Sequence, residues 1–356
     1  MKNKKIKLFL GAYINSTNAQ NLNCLAIAKY IDKKQFEVKA MSLYSGNLLV
    51  SDIDGVDCIK VRKPHKLLKY WAYFLGLFWC DVAYLPKGEI VSWNSFWLSL
   101  FHKKSISTVE GILDDKNLES ALQTHKNYKT FLRHYKKFDK LYSITSYLKA
   151  YNFKHHGIIS EDKILYLGLD LVPFLNPEKR TNDLKNIVYI GRLLERKGVY
   201  DVLDAAKAFP KLQFHLVGDG QEREAIKKHI TQQQLTNVKL HGVLDHTALS
   251  TLLKTMDLHL LPSRSEGFPK VTLETAAAGV PSIVYADYGA QEWIEHRHNG
   301  FVVETLEQMF QMIQELEENS ELLQLNSKNT IALGKQFDWD IVIKQWEQEI
   351  SNLYHS

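Results

Sequence analysis

The sequence predicts a two-part α/β protein in which each half is a Rossmann-like, doubly wound parallel sheet. Two observations predict this class. Short apolar runs alternate with helix-spaced apolar patterns along the chain, and that alternation is typical of parallel sheets covered by helices. The length of 356 residues, with 45% hydrophobic and 24% charged residues, suits two globular cores of ordinary size and excludes disordered or collagen-like chains.

The first half begins with a predicted strand at residues 6–10 and a predicted helix at residues 24–31. The lysine-rich start resembles a signal peptide, but Lys7 interrupts the apolar run, which favours a first strand. Further strands of this half are predicted at residues 38–44, 82–85, 90–91, 105–109 and 141–144.

The second half repeats the pattern after an irregular connector at residues 165–180 that contains Gly168, Pro173 and Pro177. The sequence therefore predicts a first domain at 1–170, a second at 171–336 and a terminal segment at 337–356, whose apolar residues have the spacing of an amphipathic helix. The strands of the second domain are predicted at residues 187–190, 213–217, 238–241, 258–261 and 282–285.

Charge is distributed unevenly between the halves. Residues 1–175 carry 26 Lys and Arg against 15 Asp and Glu, and residues 176–356 carry 19 against 25. A basic half attracts phosphates, nucleic acid or anionic lipid, or it is simply a well-solvated surface. The three cysteines, Cys24, Cys58 and Cys80, lack the close pairing of a zinc or redox site, so a reducing compartment is expected.

One apolar segment, residues 67–80, is rich in aromatic residues and follows Arg62, Lys63, Lys66 and Lys69. Fourteen residues are too few to span a bilayer. Two interpretations stay open. The segment is either a buried helix or an interfacial helix whose aromatic side chains enter the headgroup region beside a basic flank.

Three stretches of the second half carry candidate chemistry, and each follows a predicted strand. In the first, Gly191 begins a turn that contains Arg192 and Lys197, two cations that can converge on one diphosphate. The second contains Gly218 and Gly220 but has Arg223 where a dinucleotide fingerprint needs its third glycine, which disfavours a nicotinamide enzyme.

The third stretch runs from Pro262 to Pro281 and contains Glu266 in a loop and Glu274 in a helix predicted at residues 270–278. A helix N-terminus has unpaired N–H groups and a partial positive charge, so it is a natural seat for phosphate. Carboxylates at the same place accept hydrogen bonds from sugar hydroxyls. The stretch therefore predicts a site for a phosphorylated sugar or nucleotide.

Together, these stretches resemble the retaining nucleotide-sugar glycosyltransferases of family 4, which have the GT-B architecture. Glu266 and Glu274 meet the Glu-x7-Glu signature of that family. The resemblance covers residues 140–356, whereas residues 1–139 match only in pattern. It implies two Rossmann-like domains that face a cleft, with the C-terminal helix returning to the first domain. Further matching residues are 143–146 (SITS), 167–170 (LGLD), 238–242 (VKLHG) and 337–339 (FDW).

The resemblance implies that a nucleotide diphosphate sugar binds mostly to the second domain. Arg192 and Lys197 would hold the diphosphate, and Glu274 would bind the ribose hydroxyls. Glu266 would orient the donor sugar, assisted by the backbone N–H groups around Phe268, Lys270 and Val271; Pro269 in the same turn has no N–H. The other residues expected at the donor are Gly11, Gly191, Gly218, Gly242, Val243 and Gly267.

The first half departs from the family pattern at two positions. Many relatives place a histidine after the strand that here ends at Val109, whereas this chain has Glu110. Glu110 is either a loop carboxylate or a contact to acceptor or sugar. The usual paired glycines of the first loop are reduced to Gly11 and Ala12, and Asn15 in that loop is a second candidate for an acceptor contact.

The expected reaction is transfer of a sugar to a hydroxyl acceptor with retention at the anomeric carbon, at a cytoplasmic enzyme near the inner face of the membrane. No Asp-x-Asp pair stands at a loop mouth, so no metal is expected, and the donor sugar is a co-substrate with no further cofactor. The acceptor is expected to be a lipid-linked or surface-polysaccharide glycan, with peripheral association to anionic membrane and no nucleic acid. The alternatives are an epimerase or phosphorylase of the same architecture, or a nucleotide-sugar-binding protein that has lost turnover.

Overall fold

The computed structural model describes residues 4–46, 53–86, 91–114, 118, 122, 127–176, 183–286 and 288–356. The chain divides into two compact units. The first unit consists of Met1–Gly168 and Trp339–Ser356, and the second consists of Leu169–Asp338.

The first unit contains a parallel sheet with the strand order β3-β2-β1-β4-β5-β6. This order, with the chain reversing direction across the sheet between β1 and β4, is that of a doubly wound Rossmann-like fold. Its strands are β1 (Ile6–Tyr13), β2 (Phe36–Leu43), β3 (Val56–Val61), β4 (Val82–Tyr84), β5 (Lys104–Val109) and β6 (Lys140–Ser143). The helices between them are α1 (Ala19–Tyr30), α2 (His65–Trp79), α3 (Val91–Leu100), α4 (Tyr128–Tyr135) and α5 (Ser146–His156).

The core of the first unit forms around β1, whose residues Leu8, Phe9 and Leu10 are fully buried. Helix α2 packs on this strand at Gly76, where an added Cβ atom would lie 2.3 Å from the Phe9 ring. Glycine is therefore required at this position, because any side chain would push α2 away from the sheet.

The second unit repeats the arrangement with the strand order β12-β11-β10-β7-β8-β9, and its described strand pairs are also parallel. Its strands are β7 (Asn186–Ile190), β8 (Gln213–Val217), β9 (Val238–Gly242), β10 (Leu258–Leu261), β11 (Ser282–Tyr285) and β12 (Phe301–Val303). Its α-helices are α6 (Val199–Ala208), α7 (Arg223–Gln232), α8 (His246–Leu253), α9 (Lys270–Ala277), α10 (Leu306–Glu318) and α11 (Ser320–Gln336).

The last helix, α12 (Trp339–His355), belongs to the first unit although it follows the second in the sequence. Its fully buried Trp346 contacts the Tyr84 ring edge-on, with 5.0 Å between the ring centroids. The Trp346 indole N–H donates to the Tyr166 carbonyl at 2.9 Å. Glu347 accepts a hydrogen bond from the Asp32 amide at 2.8 Å. The predicted α/β class, with two doubly wound sheets and a C-terminal helix returning to the first, is confirmed.

Three local predictions need correction. The two apolar residues at 90–91 do not form a strand that the structure describes, because Val91 begins helix α3 and Ile90 lies outside the described residues. The sequence analysis also missed β3 and β12. Strand β3 is mostly half-buried and lacks an apolar run, and β12 has only three residues, so neither produces a periodic signal.

The aromatic segment at 67–80 forms helix α2, but only one of its faces is buried. Ala72, Tyr73, Gly76 and Leu77 face the sheet and are buried. The buried-helix interpretation therefore describes this face alone, and the opposite face is exposed. Among the described residues, no helix has both the length and the apolarity to cross a bilayer.

We expect Trp346→Ala to lower the free energy of unfolding by about 3–5 kcal/mol, because it empties a buried site and leaves the Tyr166 carbonyl without its donor. Chemical denaturation measures this change. The matched control is Ile341→Ala in the same helix, where the side chain is 53% exposed and the cost should stay within about 0.5 kcal/mol. Equal effects of the two substitutions would contradict the docking of α12 through Trp346.

Candidate active site

Three of the predicted glycines lie at adjacent strand ends of the second unit. Gly191 follows β7, Gly218 follows β8, and Gly242 ends β9, and these strands are neighbours in the sheet. The Gly191 amide donates to the Val217 carbonyl at 3.0 Å, and the Gly218 amide donates to the Gly242 carbonyl at 2.8 Å. The three turns thus form one continuous edge, at the carboxyl ends of parallel strands where ligands bind in such sheets.

Gly218 is required by the close approach of two turns. Its φ of +133° is a backbone conformation that side chains rarely adopt, and an added Cβ would lie 1.9 Å from the Gly191 carbonyl oxygen. Gly220 is similarly close to the Leu193 carbonyl, at 2.3 Å. These two glycines therefore serve the packing of the turn after β8 against the turn after β7.

The cationic turn after β7 contacts the loop after β10 directly. The Lys197 Nζ lies 2.5 Å from Glu266 Oε1 and donates to the Ser265 carbonyl at 3.0 Å. The backbone also joins the two segments, because the Arg264 amide donates to the Arg196 carbonyl at 3.1 Å. The sequence analysis placed a diphosphate between the turn at 192–197 and the start of α9, so these two segments had to be neighbours. The structure brings them together.

The two predicted cations differ in environment. Arg192 is exposed, whereas Lys197 is largely buried. Burial lowers the pKa of the Lys197 ammonium, and the charge and hydrogen bond of Glu266 oppose that effect. An ammonium group has three N–H donors, so Lys197 keeps one donor beyond Glu266 and Ser265.

Tyr189 is a positioning residue that the sequence analysis missed. Its hydroxyl donates to the Arg192 carbonyl at 2.9 Å, which fixes the backbone from which the Arg192 side chain extends. Burial raises the pKa of the Tyr189 phenol, and the nearby charge of Glu266 raises it further. The phenol therefore stays neutral as a donor. An aromatic residue in a buried strand gives no sequence signal of such a role.

The turn before helix α9 contains hydrogen bonds between its own backbone groups. The Lys270 amide donates to the Phe268 carbonyl at 2.9 Å, and the Thr272 amide donates to the Pro269 carbonyl at 3.0 Å. The Lys270 amide, which was expected to face the donor, is thus engaged within the turn. Gly267 and Val271 are half-buried beside it, and the Phe268 ring packs edge-on against Trp293 at 5.4 Å.

Glu274 lies in the second turn of α9, and its side chain is half-buried. Burial raises the pKa of this carboxyl group, while the neighbouring His246 and Lys270 oppose the shift. His246, at the start of α8, was not predicted from the sequence because a lone histidine at a helix start carries no motif. Val243 follows Gly242 and is 75% exposed, so its side chain is available at the same edge.

The candidates in the first unit are bonded within that unit. Gly11 is a buried interior residue of β1, where its carbonyl accepts the Tyr73 hydroxyl at 2.7 Å. Asn15 joins its loop to β2: its Oδ1 accepts the Leu43 amide at 2.8 Å and its Nδ2 donates to the Leu43 carbonyl at 2.7 Å. Both residues have structural roles in the strand and loop, and a ligand contact of either one stays a prediction.

Glu110 is held by three donors. Its Oε2 accepts Asn23 Nδ2 at 2.8 Å, and its Oε1 accepts the Thr108 hydroxyl at 2.9 Å and the Tyr84 hydroxyl at 3.0 Å. Burial raises the pKa of the Tyr84 phenol, and the Glu110 charge adds to the shift. Glu110 is therefore part of a hydrogen-bonded polar network directly after β5, and its contact to acceptor or sugar stays a prediction.

Across the described residues, no group of three or more His, Cys, Asp or Glu side chains is placed to hold a metal ion. The cationic turn instead offers Arg192 and Lys197, which suit a phosphorylated ligand.

Residues 174–332, which contain every feature of this edge, match the family model described as glycosyl transferases group 1. The second unit is similar to the group 1 glycosyl transferases. The chain is 26% identical over 207 residues to an uncharacterized glycosyltransferase of Methanocaldococcus jannaschii, covering 57% of this chain and 56% of that protein. It is 24% identical over 360 residues to the poly(glycerol-phosphate) alpha-glucosyltransferase of Bacillus subtilis, covering 96% of this chain and 50% of that protein.

The fold of the whole chain has a close structural counterpart. The crystal structure of Anabaena HepE in complex with UDP superposes with a TM-score of 0.80 at 19% identity, covering 98% of this chain and 100% of that one. This likeness confirms the GT-B fold of the glycosyltransferases. The chain spans about half the length of the curated relatives it matches.

We expect Glu274→Gln to stabilise the protein increasingly as the pH rises from below 4.5 towards neutrality. The folded state holds the Glu274 proton more tightly than the unfolded state, so the wild-type protein loses stability over this window and the glutamine variant avoids that loss. Denaturation curves across the pH range measure the difference. Glu317→Gln, at an exposed position of α10, is the control. A pH-independent difference for Glu274→Gln would contradict the raised pKa of the Glu274 carboxyl group.

Proposed function

We propose that this chain is a retaining glycosyltransferase that moves a hexose from a nucleotide diphosphate sugar to a hydroxyl acceptor. The observation that carries the proposal is the contact between the cationic turn at 192–197 and the loop that leads into α9, through Lys197 and Glu266. The match of residues 174–332 to the group 1 glycosyl transferases and the likeness to a UDP complex support a nucleotide-bound donor.

In the proposed site, Arg192 and Lys197 bind the diphosphate. Arg192 is free to swing onto it from an exposed position, while Lys197 is already oriented by Glu266 and Ser265. Preorganised cations stabilise charge as it develops on a leaving group without reorganising at the moment of reaction. Glu274 accepts hydrogen bonds from the ribose hydroxyls, and Glu266 orients the donor sugar.

The proposed chemistry breaks the bond between the anomeric carbon and the diphosphate oxygen, and the diphosphate leaves with the electron pair. The acceptor oxygen attacks the same face of the oxocarbenium-like centre and gives its proton to the departing phosphate. The configuration at the anomeric carbon is thereby retained. Charge on the diphosphate is balanced by Arg192 and Lys197, so the proposal needs neither a metal nor a further cofactor.

We propose a glycan acceptor that is lipid-linked or part of a surface polysaccharide. The excess of Lys and Arg in the first half and the likeness to a poly(glycerol-phosphate) alpha-glucosyltransferase support this class. The three cysteines lack the close spacing of a zinc or redox pair, which supports a reducing, cytoplasmic compartment. No nucleic acid is part of the proposed reaction.

The direct test is thermal denaturation with a panel of UDP, GDP and ADP. The nucleotide that matches the donor should stabilise the protein by about 2.7 kcal/mol when its concentration is a hundred times its Kd. Arg192→Ala with Lys197→Ala should abolish that shift, whereas Arg223→Ala, which removes an exposed arginine paired with Asp219 in the next turn, should leave it intact. Absence of a shift with every nucleotide would contradict the proposal.

Turnover tests the assigned roles. With the donor sugar of the matching nucleotide, Arg192→Ala or Lys197→Ala should lower the rate of nucleoside diphosphate release about a hundredfold or more, because each removes a donor to the leaving group. Arg223→Ala should keep the wild-type rate, and EDTA should leave that rate unchanged. Isomerised donor sugar without release of diphosphate would indicate an epimerase instead.

A further inference from the structure

Helices α2 and α3 expose a continuous surface of aromatic rings on the first unit. Two ring pairs join the helices, and a third joins α2 to Phe101, directly after α3. The partners advance by four residues on both sides, so the helices run side by side in the same direction. The pairs, with their centroid distances, are Tyr70–Trp93 (5.4 Å), Phe74–Trp97 (4.8 Å) and Phe78–Phe101 (5.3 Å). We call these rings and the exposed apolar side chains beside them the aromatic surface.

The side chains beside the ring pairs are open to solvent. Leu67 is 69% exposed, and Trp71 and Phe96 are each 59% exposed, one on either helix. Contiguous apolar exposure of this kind marks an interaction surface, whereas scattered single residues do not. The remaining exposed apolar residues of the two helices are Leu68, Tyr70, Leu75, Phe78, Trp93 and Leu100.

The two helices also contain most of the unpartnered buried polar atoms in the described part of the chain. Asn94 is 1% exposed, yet neither its Oδ1 nor its Nδ2 has a hydrogen-bond partner. Trp97 Nε1 and His65 Nδ1 are also buried without a hydrogen-bond partner. Such groups destabilise a finished interior. Among the described elements, these two helices therefore contain most of the buried polar groups that lack a hydrogen bond.

Positive charge flanks the aromatic surface, and neither helix carries an acidic residue. Arg62, Lys63 and Lys66 are exposed at the start of α2. The Lys69 Nζ lies 5.5 Å from the Tyr70 ring, which keeps its ammonium beside the apolar face. At the start of α3, Lys137 Nζ donates to the Ser92 hydroxyl at 3.1 Å. The surface is thus complementary to an anionic partner with an apolar layer beneath its charges.

We propose that the aromatic surface binds an anionic bilayer, with the rings of α2 and α3 at the boundary between headgroups and acyl chains and the cations on lipid phosphates. Aromatic residues favour this depth because one end is apolar and the other tolerates water. Buried apolar area and attraction to anionic lipid act together in such binding. The inference deepens the proposed function by naming the surface that reaches a membrane-bound acceptor, but it depends on the first unit alone.

The test is flotation of the purified full chain with vesicles of phosphatidylcholine, alone or mixed with phosphatidylglycerol. The wild-type protein should float with the anionic vesicles at low salt and much less at high salt, because salt screens the lysines. Trp71→Ser with Phe96→Ser should lower the bound fraction at least about tenfold. Phe153→Ser is the matched control, since Phe153 is also 59% exposed and lies on α5 of the same unit.

Two outcomes would overturn the inference. One is a wild-type protein that stays with the unbound fraction on anionic vesicles at low salt. The other is a wild-type dimer in solution that Trp71→Ser with Phe96→Ser converts to a monomer, which would make the surface an interface between copies. Nucleotide-dependent stabilisation, measured on the same preparations, separates the two proposals: its absence with intact vesicle binding would refute sugar transfer and leave the membrane surface standing.

Discussion

The ion pair between Lys197 and Glu266 is the contact on which the functional edge of the second unit depends. It joins the turn after β7 to the loop after β10, two strands that are neighbours in the sheet. Both side chains are largely buried, so each charge is stabilised mainly by the other. The pair also orients the Lys197 ammonium before any ligand binds, and the proposed reaction requires such a preorganised cation at the leaving group.

The two units differ in the hydrogen bonding and exposure of the residues at their strand ends. In the first unit, the side-chain oxygens of Asn15 and Glu110 accept hydrogen bonds from other residues of the same unit. In the second, Arg192 and Val243 are exposed beside turns whose backbone groups already bond to each other. The second unit therefore offers the features that a phosphorylated ligand needs, and the exposed chemistry of the first unit lies on its aromatic surface.

The aromatic surface is exposed because of the way α2 and α3 pack on the first unit. Helix α2 approaches β1 closely through Gly76, which leaves the opposite face of the helix uncovered. Helix α3 pairs its rings with those of α2 but does not cover them, so large apolar side chains of both helices stay in solvent. Exposing this much apolar area to water is unfavourable. Covering it with another phase or molecule is therefore favourable.

The sequence by itself determined the α/β class, most strands and the loop and helix that carry Glu266 and Glu274, because apolar periodicity and turn residues are local signals. It could not determine β3, a mostly half-buried edge strand. It also could not determine the hydrogen bond of Tyr189 or the effect of His246 on Glu274, which follow from neighbours distant in the chain. It also left α2 ambiguous, since the sequence of one helix does not reveal which of its faces a sheet will cover. Only the tertiary structure decided these points, because burial and hydrogen-bond partners arise when separate strands and helices pack together.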